Sequence, residues 1–181
     1  MSEDVQGMTD LLEKFKNLEE AVQEDSLIGT AQAGGTVVRN AALDNIKSQG
    51  LIKTRTMSRS VHSVVIESSV NRAAVQVGTN LEYAAIHEYG GVIHPKNSKY
   101  LAIPVGTYTG SPRRHPDLKV RVTNNGNLVM VSAGGEVQYV LKQSVTIPAR
   151  PYMRPAYDEQ KQEVIDTMQQ AYMQLIKKAV S

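Results

Sequence analysis

The chain has 181 residues with no cysteine, no tryptophan, one phenylalanine and eight tyrosines, and a formal charge of +2 at pH 7. That length suits one domain able to bury about 70% of its unfolded surface without a covalent staple. Absence of cysteine excludes disulfide scaffolds, thiolate metal sites, iron–sulfur ligation and a cysteine nucleophile, and it suits a protein made in a reducing cytoplasm. With 41% hydrophobic residues but few large rings, the expected core is mostly aliphatic. The start, Met1-Ser2-Glu3-Asp4-Val5, lacks the basic-then-apolar layout of a signal peptide. No run approaches the roughly 18 apolar residues of a membrane span, so the expectation is a soluble, non-secreted protein with no membrane partner.

The first element expected is a helix over 9–24, because Met8, Leu11, Leu12, Phe15, Leu18 and Val22 recur at helical spacing with acids opposite. Asp10 followed by Glu13 resembles a capping box. A second helix follows over 30–49, with Ala31, Val38, Ala41, Ala42, Asn45 and Ile46 on a narrow face. Gly34-Gly35 weakens its start by about 1 kcal/mol per glycine, and Gly50 is a natural stop.

After the polar, basic stretch 53–59 the period changes. Val61, Val64, Val65 and Ile66, then Ala73, Val75 and Val77, suggest a hairpin turning over Ser68–Arg72. Asn80 is placed to cap a short helix, 81–89, which Gly90-Gly91 ends. Further strands are expected at 100–104, 118–123, 128–132 and 137–147, with a hairpin turn at Asn124-Asn125-Gly126-Asn127. Residues 105–117 carry many turn formers and no period, and read as a long surface loop. A terminal helix over 156–179 follows the turn Pro148–Pro155, with Val164, Met168, Ala171 and Leu175 along one face. The order argues one α+β domain, 1–181: N-terminal helices at 9–49, an antiparallel sheet within 60–147, and the C-terminal helix, packed together.

The small net charge conceals a split. Residues 1–25 hold eight acids against two lysines, whereas residues 92–155 hold nine basic side chains against Asp117 and Glu136. Such asymmetry suits an acidic surface meeting a basic one, contact with nucleic acid, or an unevenly solvated exterior. The basic segment lacks the interleaved aromatics of a stacking platform, so only non-specific contact with DNA phosphates is expected from it.

Catalytic patterns are missing. No phosphate loop, dinucleotide fingerprint or nucleophile elbow occurs. His87, Glu88 and His94 are the nearest approach to a metal set, but the second histidine stands seven residues after the first, not four, with Gly90-Gly91 between. A metal hydrolase built on them remains a rival, and the expectation is no enzyme, cofactor or metal.

Two segments are more specific. One runs from Val77 to Gly91 and contains Tyr83, Ala84, His87, Glu88, Tyr89, Gly90 and Gly91; the other is Ile147–Ala156, with Pro148, Ala149, Arg150, Pro151, Tyr152, Arg154 and Pro155. Together they resemble the tail-completion, or virion-morphogenesis, proteins of tailed bacteriophages, over about residues 10–178. Lys53–Val61 is similar to that family's segment ahead of the first strand, with Met57 and Ser60-Val61 at its end but no glycine at Thr54-Arg55.

The resemblance implies a structural virion protein at the neck, assembled in the host cytoplasm as a homo-oligomeric ring of six or twelve copies. It would touch neighbouring neck, portal-side and tail-tube proteins and let DNA pass. A tail terminator capping the tube, and a non-specific DNA-binding accessory protein, are the alternatives. The residues themselves also suggest bracing within one subunit. Gly90 permits a left-handed helix stop, the prolines stiffen the second segment, and the Arg150 fork can hold loop carbonyls or Glu88. Candidate interface or lumen residues are Glu13, Glu19, Glu20 and Glu24 on the acidic side and Arg113 and Arg114 in the long loop.

Overall fold

A computed structural model describes residues 3–21, 24–51, 55–69 and 71–180, with side chains at 3–6, 20, 21, 24 and 25 left aside. Met1, Ser2, Val22, Lys53 and Thr54, named above, therefore lie outside the described residues, as do position 70 of the expected turn and the side chains of Glu20 and Glu24. The chain is α+β, and its contacts divide into two compact units, Met1–Glu88 with Arg150–Ser181, and Tyr89–Ala149.

The first unit is built around its second helix. Helix α1 spans Glu3–Ala21 and α2 spans Glu24–Ser48, so both begin earlier than their apolar periodicity suggests. Asp10 is interior to α1 and pairs with Lys14 at 3.4 Å, one turn on, in place of the expected cap. In α2, Val38, Ala42 and Ile46 fall at four-residue intervals and are buried, the last two completely. They pack with Met57, Val61, Ala84, Tyr152 and Ala156 into the core. A fully buried Val, Ile or Met side chain contributes about 1.5–3 kcal/mol.

The two glycines that weaken α2 have a packing reason. A β-carbon on Gly34 would stand 2.8 Å from Met168 Sδ, and one on Gly35 would stand 2.7 Å from Val75 Cγ1. Their absence lets two neighbours approach one helix. Gly50 ends α2 at φ 66°. Its amide donates to the Lys47 carbonyl and the Leu51 amide to the Ile46 carbonyl, the paired bonds of a left-handed stop.

A five-residue helix, α3 (Thr56–Ser60), occupies the basic stretch and buries Met57. It is too short for periodicity to reveal. Strands β1 (His62–Ser69) and β2 (Arg72–Gly78) form the expected hairpin, which packs on α2. Helix α4 is shorter than expected, Ala84–Tyr89. Its approach is set by Thr79, whose hydroxyl accepts from the Leu81 amide at 3.2 Å, and not by Asn80.

The C-terminal helix is two: α5 (Met153–Asp158) and α6 (Lys161–Val180). The first starts inside the segment read as a turn. Pro155 stands in its first turn, where a missing amide hydrogen costs nothing. Helix α6 lies against α2 and α1.

The second unit holds the remaining strands, in two sheets. Strands β3 (Gly91–Ile93) and β8 (Val145–Ile147) form one antiparallel pair. The other sheet has four antiparallel strands in the order β4 (Leu101–Pro104), β7 (Val137–Lys142), β6 (Leu128–Val131) and β5 (Lys119–Val122). The expected continuous strand 137–147 is thus divided between two sheets, and the expected single sheet is three when β1–β2 is included. Gly126, at φ 76°, turns β5 into β6 as the Asn-Gly signal requires. Tyr139, fully buried, is the largest enclosed side chain, and Tyr152 is nearly so in the first unit. Two tyrosines are thus core anchors, while the other buried apolar residues are Ala, Val, Ile and Met, in keeping with the mostly aliphatic core expected.

Candidate functional site

Four consecutive residues at the entry of α5 need their amide groups accounted for, since a first helical turn has no internal acceptors. Tyr152 and Met153 donate their amides to Glu88 Oε2 at 2.8 and 2.9 Å, and Arg154 donates to Oε1 at 2.9 Å. The fourth, Pro155, has no amide hydrogen. One carboxylate therefore satisfies the whole first turn. Glu88 is buried to 8% exposure, and no cation is needed to hold it. Of the two roles expected for the Arg150 fork, loop carbonyls or Glu88, the second is not the one seen: the hydrogen-bond partners of Glu88 are backbone amides. Arg150 contributes its own amide, which donates to the His87 carbonyl at 2.7 Å.

Helix α2 completes this lock. The Asn45 amide group donates to the Tyr152 carbonyl at 3.0 Å and Gln49 to the Pro151 carbonyl at 2.7 Å. Asn45 falls on the narrow face expected to pack, whereas Gln49 gave no signal in the sequence, since a polar residue on a helix face normally reads as solvated. The Tyr152 ring and Ala84 fill the core beneath. The two motif segments are thus joined by four hydrogen bonds and a shared apolar floor, and two more tie the second segment to α2. Tyr83 stays half exposed, its ring edge-on to His87 at 6.3 Å. The exposed Arg150 side chain, with His87 and Arg55, borders a cleft of about 360 Å³.

In the second unit Tyr89 is 70% exposed. Gly90, at φ 70°, has the left-handed backbone expected of it, and a β-carbon there would stand 2.8 Å from the Ala149 amide nitrogen. Gly91 opens β3 opposite Ile147, and Pro148 and Ala149 follow β8 on the surface.

The long loop is more ordered than its composition suggests. Gln138, 1% exposed, uses its side-chain oxygen to accept from the Tyr108 amide at 3.1 Å. Val105 and Gly106 both donate to the Gln138 carbonyl. The Tyr139 hydroxyl donates to the Gly110 carbonyl at 3.2 Å. The Tyr108 hydroxyl donates to Asp117 at 2.7 Å, and its ring stacks on His115 at 4.4 Å. That hydrogen bond to a carboxylate, then burial and the charge of Asp117, push the Tyr108 phenol above its usual range. No spacing rule links positions 108, 117 and 138, so the sequence carried no signal for this arrangement. Arg113 and Arg114 sit exposed on a short 3₁₀ turn, 112–114, at the loop's outer part.

The acidic candidates Glu13 and Glu19 are exposed on α1. Beside them Met8, Leu11, Leu12 and Phe15 remain 48–62% exposed. Among the described residues no three of His, Asp and Glu gather closely enough to hold a metal ion. Both oxygens of Glu88, the acid of the possible metal set, are already engaged. No helix among the described residues is long and apolar enough to cross a membrane.

A model of the phage virion morphogenesis family matches residues 29–173, a span that contains both motif segments and begins after α1. No curated protein and no solved structure matches the chain.

Proposed function

We propose, since this chain belongs to the phage virion morphogenesis family, that it is a subunit of a ring at the head–tail neck. Membership makes it a phage structural and morphogenesis protein associated with the virion. The finer reading is that the ring completes or joins the tail and leaves a channel for DNA, and that its work is assembly, not catalysis. The observation that carries it is the apolar surface left open on α1. Four large side chains in a row at about half exposure or more suit a subunit that meets partners.

Charge supports the same reading. The first unit holds 13 basic and 16 acidic side chains, the second seven and two. Two different surfaces of opposite sign on one chain favour head-to-tail contacts, which close into a ring when the rotation permits, here of six or twelve copies. Arg113 and Arg114 then face the lumen or an adjoining neck, portal-side or tail-tube protein. Passing DNA requires of them only positive charge.

Loss of the gene tests this. The neck reading expects filled heads and finished tails that fail to join. Tails of uncontrolled length would instead favour the rival role of tube terminator, and normal infectious particles would remove both.

A further inference from the structure

Helix α1 poses a physical problem. A 19-residue helix gains most of its stability by burying an apolar face. Met8, Leu11, Leu12 and Phe15 follow the i, i+3, i+4, i+7 pattern of such a face, yet they remain 58%, 48%, 62% and 59% exposed. Contact with α6 leaves the stripe open. Glu19 stands one turn beyond Phe15 on the same side, and the helix carries six acids against two lysines.

An apolar groove flanked by basic side chains lies in the second unit. One face of the four-stranded sheet, with the segment before β4 and the 3₁₀ turn, forms an open groove of about 470 Å³. Its floor is apolar, made by Tyr100, Ala102, Met130 and Leu141, and Lys99 and Arg113 stand on its rim. Both rim residues are exposed, and the Lys99 ammonium lies 5.6 Å from the centre of the Tyr100 ring. A stripe from residue 8 to residue 15 is about 10 Å long. The groove volume falls in the range that receives a few large side chains.

We propose that α1 of one copy lays its apolar stripe in this groove on a second copy, with Glu19 against the basic rim. The mode is an amphipathic helix in a groove. Charge complementarity selects the occupant: each copy carries one acidic apolar helix and one basic-rimmed apolar groove. The contact joins unlike surfaces, so every copy has a free helix and a free groove to extend the chain until it closes. This deepens the ring reading and rests on it, while naming a segment outside the family-matched span as the connecting piece.

The test uses the full chain and its mass in solution, by sedimentation equilibrium across a concentration series. One variant carries Leu11→Asp and Phe15→Asp, the other Lys99→Glu and Arg113→Glu. All four positions are on the surface, and circular dichroism checks that each variant is folded. Wild type is expected to form closed oligomers that weaken as salt is raised. Each variant alone is expected to associate at least tenfold more weakly. An equimolar mixture is expected to give dimers and nothing larger, because one intact helix meets one intact groove. Glu19→Arg and Arg113→Glu should each weaken assembly and together restore it.

Wild-type oligomers that persist unchanged in both variants would overturn the docking while leaving a neck ring in place. A mixture that stays monomeric, or a wild type that is monomeric at every concentration, would also overturn it. The neck role itself is judged by the gene-loss phenotype.

Discussion

Replacing Glu88 by glutamine changes a single atom type and tests the lock between the motif segments. The carboxylate accepts three amides at 2.8–2.9 Å and is 8% exposed, so water cannot substitute for a lost acceptor. Hydrogen bonds to a charged group contribute about 1.5–3 kcal/mol each. Glutamine keeps one acceptor oxygen, which can serve the Tyr152 and Met153 amides, but its NH₂ group then faces the Arg154 amide. An amide donor left without a partner costs about 1–3 kcal/mol, and the two surviving bonds lose their charge assistance. The expected destabilisation is about 2–4 kcal/mol, or roughly 5–15 °C in Tm for a chain of this size. Urea unfolding of wild type and Glu88→Gln, followed by circular dichroism, measures it. A loss below about 0.5 kcal/mol would refute the claim that this carboxylate supplies the first turn of α5 with its acceptors.

Glu67→Gln is the surface comparison: its pair with Arg72 is 3.2 Å long but both side chains are largely exposed, so stability should change by less than about 0.5 kcal/mol in the same assay. Gly34→Ala and Gly35→Ala both raise helix propensity by about 1 kcal/mol. The nearest neighbour of Gly34 is the flexible Met168, with Val164 Cγ1 farther off at 3.2 Å, whereas Gly35 meets the stiff, branched Val75 at 2.7 Å. Gly35→Ala should therefore be the less stable of the two by about 1 kcal/mol or more in thermal unfolding. Tyr108 holds its proton above the ordinary phenol range. Its folded form is thus favoured below about pH 10 and loses that support as pH rises through the raised value. Ultraviolet titration should show one tyrosine ionising late, and Asp117→Asn should bring it back toward its usual pH.

The long helices α1, α2 and α6 were legible because amphipathic stretches repeat a period. The hairpin at Asn125-Gly126 and the stops at Gly50 and Gly90 were legible because positive φ nearly demands glycine there. The start of α5 was obscured by Pro155, which reads as a breaker yet is harmless in a first turn. The strand 137–147 looked continuous because its apolar pattern does not mark the change of sheet after Lys142. Both motif segments were visible as sequence. What joins them was not, because Glu88 lies 64 residues from Tyr152 and such a bond leaves no local trace. The five-donor fork of Arg150 suggests a hold on loop carbonyls or on Glu88, whereas three backbone amides serve that carboxylate. The charge split was plain from composition, but only the fold shows that the acidic helix also leaves its apolar stripe open.

The most direct measurement of the central claim is electron microscopy of assembled particles carrying a small fused tag on this chain. A neck-ring subunit should place tag density as a closed ring between the capsid portal and the first tail-tube layer, around the DNA channel. Density elsewhere along the tail, or particles without the chain, would contradict it.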